Sequence, residues 1–235
     1  MVKNLKHLIA EPEEYLQKRK GGIINLIFTG LCVEATRQIE EGFDVISIET
    51  AARKAFDVSQ GFFTAMEKIG IDKVVEYMGY LSDNSDADDP LYNIYHNFFS
   101  PGPAALEKLD EYRKSQDKSM VIWIPFNDKN KEADDFMLVD NLKKRFQAVA
   151  FMIASDIYGT GIGELQEIDS LCKNYLDWKK GPFLMMNEIG VNDVMQMVTE
   201  RMQLSHRREI NFPIPRCLIE QAQKNAPWSV EKRWN

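Results

Sequence analysis

The chain repeats itself, and the repeat limits its possible folds more than any single motif. Gly61-Phe62-Phe63-Thr64-Ala65-Met66-Glu67-Lys68-Ile69-Gly70-Ile71-Asp72 returns 120 residues later as Gly181-Pro182-Phe183-Leu184-Met185-Met186-Asn187-Glu188-Ile189-Gly190-Val191-Asn192. The same offset pairs Ile48 with Ile168, Glu49 with Asp169, Thr50 with Ser170, Asp57 with Asp177 and Val74 with Val194. Further on, Pro101-Gly102-Pro103 with Leu106 matches Pro213-Ile214-Pro215 with Leu218 at an offset of 112. The difference falls on the acidic run Asp83–Pro90, which reads as an exposed insertion in the first copy. Two copies of one unit therefore cover roughly 21–124 and 141–228, and the chain divides into 1–125 and 126–235.

Each copy reads as helices. Ile24, Phe28, Leu31, Ala35 and Ile39 share one helical face in the first copy, and Leu142, Phe146, Val149, Ile153 and Ile157 share one in the second. Gly42 and Gly161 punctuate the ends of these helices. Gly70 and Gly190 are candidates for left-handed helix ends, with Asp72 and Asn192 as N-caps of the next helix. Val74, Met78 and Leu81 give that helix an apolar face. The best strand candidate is Val121–Ile124, stopped by Pro125, and Phe126–Asp135 reads as the linker between copies. The expected class is all-α.

Charge and cysteine usage exclude several functions. A net charge of −7 argues against a dedicated nucleic-acid binder. Cys32, Cys172 and Cys217 are widely spaced and odd in number, so they fit neither a disulfide framework nor a zinc site. There is no leader-like apolar run and no stretch long enough to span a membrane, so a cytoplasmic protein is expected. The glycines at 159, 161 and 163 follow a helical pattern and lack dinucleotide-loop spacing. His7, His96 and His206 have no partner at a recognisable spacing, and no catalytic residue or metal ligand emerges. Glu34, Arg37, Glu40 and Glu41 read as a solvated helix face. Lys18, Arg19 and Lys20 open the first long helix, where cations oppose the helix dipole and a phosphate-bearing ligand would offset the cost.

The repeated unit resembles the C-terminal helical domain of the 3-hydroxyacyl-CoA dehydrogenase family. The likeness is carried by Gly21-Gly22-Ile23-Ile24-Asn25 with Glu34-Ala35 and Glu40-Glu41-Gly42. It continues through the two glycine–phenylalanine runs above and through Pro213-Ile214-Pro215 with Leu218. The resemblance implies a fold similar to the C-terminal domain of 6-phosphogluconate dehydrogenase. It also implies two tandem helical repeats packed as an internal pseudo-dimer, since larger relatives carry such domains in tandem. Family members oxidise a 3-hydroxyacyl-CoA with NAD, on a Rossmann domain that this chain lacks. NAD is accordingly expected on a separate Rossmann-type subunit, and acyl-CoA on Asn25 with Lys18, Arg19 and Lys20. At the offset of 120, Asn25 corresponds to Arg145, so only the first copy has the asparagine. Two readings lead: the substrate-binding and dimerisation part of a split enzyme, or a non-catalytic helical scaffold that has lost acyl-CoA binding; a new enzyme activity on the helical scaffold alone and a fragment of a longer enzyme stay open beside them.

Overall fold

The computed structural model describes residues 19–83, 98–206 and 214–230, with side chains from Gly22 onward and excepting that of His206. Within them the chain is all-α. Ten α-helices and two single-turn 3-10 helices occur among the described residues, with no strand. The first five helices are α1 (Arg19–Glu40), α2 (Val45–Phe56), α3 (Phe62–Ile69), α4 (Ile71–Ser82) and α5 (Pro103–Lys114). The second five are α6 (Phe136–Gly159), α7 (Leu165–Tyr175), α8 (Pro182–Ile189), α9 (Val191–His206) and α10 (Arg216–Lys224).

The two long helices form the centre. Every residue of α1 from Ile23 to Gln38 is buried, as is every residue of α6 from Arg145 to Ser155. A helix apolar nearly all round has to be covered on every side. Here α1 and α6 pack on each other. Helices α3, α4 and α5 then cover α1, while α8, α9 and α10 cover α6. The second helix of each series also crosses over, α2 lying on α6 and α7 on α1. Gly30 permits the close central crossing, because a Cβ there would stand 2.2 Å from Ile153 Cδ1. At 22 and 24 residues, the two central helices are about 33 and 36 Å long.

Local geometry recurs along the chain. The Glu49 carboxylate accepts from the N–H groups of Gly61, Phe63 and Thr64 at 3.0, 3.0 and 3.3 Å. Asp169 accepts from Phe183 and Leu184 at 2.8 and 3.1 Å. A carboxylate from one helix thus satisfies the free N–H groups at the start of the next. The glycine before each capped helix leaves room for it, since a Cβ on Gly61 would lie 2.5 Å from Glu49 Oε2 and one on Gly181 2.2 Å from Asp169 Cγ. Asp57 and Asp177 both hold left-handed backbone, at φ 53° and 57°. Trp123 packs on Phe63 at 4.9 Å and Trp228 on Phe183 at 5.1 Å between ring centroids.

Several local expectations change. Val121–Ile124 is not a strand: Trp123 and Ile124 donate their N–H groups to Glu67 Oε1, at 2.7 and 3.0 Å, instead of to a ladder. Gly70 has positive φ, but at φ 120° and ψ 121° it lies outside the left-handed helical region, as Gly190 does at φ 99° and ψ 129°. Gly70 ends α3 and opens α4 at once, so Asp72 sits inside the first turn of α4 and does not cap it. Asn192 likewise lies within α9, and its amide donates to Asn225 Oδ1 at 2.8 Å. The expected linker begins with a 3-10 turn and is tied to α2, Ala133 N–H donating to Thr50 Oγ1 and Arg53 to the Lys131 carbonyl.

The long helices also differ by one residue from the offset of 120. Their last turns carry the same hydrogen bonds: Gly42 to Ile39 and Phe43 to Gln38, against Gly161 to Tyr158 and Ile162 to Ile157. That equivalence is an offset of 119. The extra residue is Gly163, whose missing side chain admits Ile23 of α1 (a Cβ would lie 2.8 Å from Ile23 Cδ1). Asn25 is therefore equivalent to the exposed Lys144, not to Arg145, whose counterpart is Leu26.

Candidate functional site

Of the residues singled out for substrate binding, Lys18 lies outside the described residues. Arg19 and Lys20 form the first turn of α1, with side chains outside the description. Asn25 follows on the same helix and is fully buried. His7, His96 and most of the acidic run Asp83–Pro90 also lie outside the described residues.

Asn25 is surrounded by polar atoms that gain little from one another. Its amide oxygen and nitrogen, the Thr29 hydroxyl and the Tyr77 hydroxyl are all buried without a hydrogen-bond partner among the described residues. Thr29 is one helical turn beyond Asn25 on the same face of α1. Tyr77 comes from α4, which packs on α1. Burial pushes the Tyr77 hydroxyl up to about 12, while the nearby Asn25 side chain pulls it back. A phenol so placed stays protonated, and the amide and hydroxyl beside it do not titrate near neutral pH. This cluster can orient a carbonyl or hydroxyl by hydrogen bonding, but it cannot take a proton. Leaving such groups unpaired costs about 1–3 kcal/mol each, so they call for a water or a ligand atom.

A second buried polar group lies further along α1, and the sequence reading missed it. Glu34, expected on a solvated face, is fully buried, and Arg37 nearly so. The Glu34 carboxylate accepts from Arg145 Nε of α6 at 2.9 Å and from Arg201 Nε and Nη2 of α9 at 3.0 and 2.6 Å. It also accepts from Gln38 Nε2 at 3.0 Å. Arg145 reaches on to Glu41 through two parallel bonds of 2.6 and 2.7 Å, and Arg201 donates to Ser205 Oγ at 2.5 Å. Burial pushes the Glu34 pKa up, but Arg201, then Arg145, and the hydrogen bonds from Arg201 and Gln38 bring it down to about 2. Arg37 donates to the Phe98 carbonyl and lies over the Phe98 ring, 4.9 Å from its centroid. The available signal was positional: Glu34, Arg145 and Arg201 each interrupt an otherwise apolar face, between Leu31 and Ala35, Leu142 and Phe146, and Val198 and Met202.

Surface clefts among the described residues lie elsewhere, two of them open and lined by cations. One of about 340 Å³ is lined by residues including Lys68, Tyr112, Lys118 and Lys129, the other, of about 410 Å³, by residues including Arg53, Lys54 and Glu132. Their cations are largely engaged: Lys129 with Glu67, Lys118 with the Tyr112 and Arg113 carbonyls, and Arg53 and Lys54 with Glu132. Among the described residues no cluster of His, Cys, Asp or Glu could hold a metal ion. Likewise, no helix among them is long and apolar enough to cross a membrane. Of the glycines at and after the end of α6, two serve packing, a Cβ on Gly159 standing 3.1 Å from Cys217 Sγ and Gly163 meeting Ile23 and Ile168, while Gly161 takes positive φ in the turn. That arrangement does not suit a pyrophosphate cradle. No protein-family model, no curated protein and no solved structure matches the chain.

Proposed function

We propose that this chain is the substrate-binding and dimerisation part of a 3-hydroxyacyl-CoA dehydrogenase, working with a separate Rossmann-type subunit that carries NAD. The observation that carries the reading is the buried Asn25 amide beside Tyr77, which has no well-formed hydrogen bond among the described residues. Natural proteins keep such unpaired groups mainly where they serve a function. An acyl-CoA carbonyl or 3-hydroxyl seated there would find donors already aimed at it. The acid–base pair and the nicotinamide belong to the partner, because Asn25, Thr29 and Tyr77 offer hydrogen bonds only. Hydride transfer needs all parties aligned in one site, so the chain alone has no turnover.

Support for two tandem copies, 1–125 and 126–235, comes from the recurring carboxylate caps, the paired left-handed aspartates and the crossed packing of α2 on α6 and α7 on α1. In this reading the copies dock as an internal pseudo-dimer. Linking them makes the docking independent of protein concentration.

The second reading, a helical scaffold without acyl-CoA binding, is favoured by the complete burial of Asn25. Titration of acetoacetyl-CoA into the full chain, followed by tryptophan fluorescence, separates the two. The first reading expects saturable binding that weakens at least about tenfold in Asn25→Leu, a loss of about 1.4 kcal/mol. Absence of saturable binding by the chain and by its complex with any co-purifying NAD-binding subunit would establish the scaffold reading instead.

A further inference from the structure

The Glu34 network joins the two series of helices, and its counterpart on the opposite side of the α1–α6 crossing is built differently. The last turns of α1 and α6 match at an offset of 119, and the first turns of α4 and α9 at 120, Val74 bonding to Gly70 as Val194 does to Gly190. With these equivalences, Arg145 corresponds to Leu26, Glu34 to Ile153, Arg201 to Leu81 and Glu41 to Thr160. Leu26, Leu81 and Ile153 are all buried. One side of the interface therefore holds a carboxylate and two guanidinium groups, and the related side holds three aliphatic side chains.

We infer that this network makes docking between the copies heterotypic: the face of the first copy fits the second copy and rejects another first copy. Two first copies face to face would set Glu34 against Leu26 and Leu81, burying a carboxylate on hydrocarbon. Two second copies would set Arg145 and Arg201 against Ile153, with Thr160 in place of Glu41. An ion buried without its partner costs far more than a correctly paired one contributes, so the device acts mainly by penalising wrong pairings. A chain that carries two similar docking faces needs such a device, because otherwise each face can recruit the like half of another molecule. The inference rests on the pseudo-dimer reading, and is independent of whether acyl-CoA binds.

The test uses the full-length chain. In Glu34→Ile/Glu41→Thr/Arg145→Leu/Arg201→Leu each position takes the residue of its counterpart. Glu34→Ile/Arg201→Leu is the milder variant and leaves Arg145 on Glu41. Each protein is refolded from denaturant over a wide range of chain concentrations and sized by light scattering after gel filtration. Wild type should give the same size distribution throughout. The fourfold variant should give larger species whose share rises several-fold with concentration, and the double variant should give fewer of them. Variants that match wild type at every concentration overturn the inference. So does failure of both variants to regain helix, since the network would then be needed for folding and not for selection. Glu34→Gln keeps the underlying reading separate. If it loses no stability, the docking of the copies through this network fails. If it loses stability while the apolar variants refold like wild type, the docking stands and only the selectivity fails.

Discussion

Replacing Glu34 by glutamine should be among the most damaging single changes in this protein. The side chain keeps its size and one acceptor oxygen, but its NH2 group would face guanidinium donors. Four hydrogen bonds now end on the carboxylate, three of them from Arg145 and Arg201. The magnitude can be reached in two ways. A carboxyl lowered from 4.5 to about 2 is linked to about 3 kcal/mol of stability, at 1.36 kcal/mol per pH unit. Removing one member of a buried ion pair costs about 3–5 kcal/mol. With a urea slope of about 3 kcal/mol per molar, the unfolding midpoint should fall by about 1 M. The pH dependence provides a separate check. The folded pKa lies below the unfolded one, so the contribution is complete above pH 4.5 and disappears as pH falls towards 2. The gap between wild type and Glu34→Gln should therefore be constant from pH 8 to 5.5 and narrow below that. A loss under about 1 kcal/mol, or a gap that does not narrow in acid, would refute the reasoning.

Three further outcomes follow from the geometry. Glu49→Ala and Asp169→Ala should each cost about 1–2 kcal/mol as lost helix caps, and hydrogen exchange should quicken at Phe63 and Thr64 in the first and at Phe183 and Leu184 in the second. Gly181→Ala should cost about 1–3 kcal/mol in urea unfolding, because the new Cβ would lie 2.4 Å from Asp169 Cα, a backbone atom that cannot swing aside. Burial raises the Asp156 carboxyl from 3.8 to about 6. The folded chain thus holds this proton where the unfolded chain has released it, and stability falls as pH rises between about 4 and 6. Asp156→Asn should accordingly unfold at higher urea than wild type at pH 8, by up to about 3 kcal/mol, and show no such gain at pH 3.5.

What could be read from the sequence was whatever is local. Apolar spacing located α1 and α6, Gly42 and Gly161 marked their ends, and the glycine–phenylalanine runs located α3 and α8. The match between Glu49 and Asp169 was visible in the repeat, but their role was not, because each caps a helix 12 to 15 residues further on. The strand expected at Val121–Ile124 failed for a similar reason, as its donors are taken by Glu67, 56 and 57 residues away. The offset of 120 held through α2, α3 and α4, where glycines and carboxylates fix each position. It slipped by one between the long helices, since a run of buried residues does not fix alignment to a single position.

Glu34 shows the limit most clearly. Its charge in a helical stretch has the same appearance whether water or a guanidinium lies beside it, and its two arginines are 111 and 167 residues away. Those distances also explain why the misread charges are the informative ones. In the pseudo-dimer reading, shared residues keep each copy folded, and here those are glycines, caps and core side chains. Shared residues cannot distinguish the copies, because each presents the same groups. Selectivity has to come from positions where the copies differ and where the difference is buried, since exposed charge pairs contribute about 1 kcal/mol or less. Glu34 with Arg145 and Arg201, against Ile153 with Leu26 and Leu81, meets both conditions. The sequence comparison that suggests the repeat sets such positions aside as mismatches, and they become legible only once the fold brings α1, α6 and α9 together.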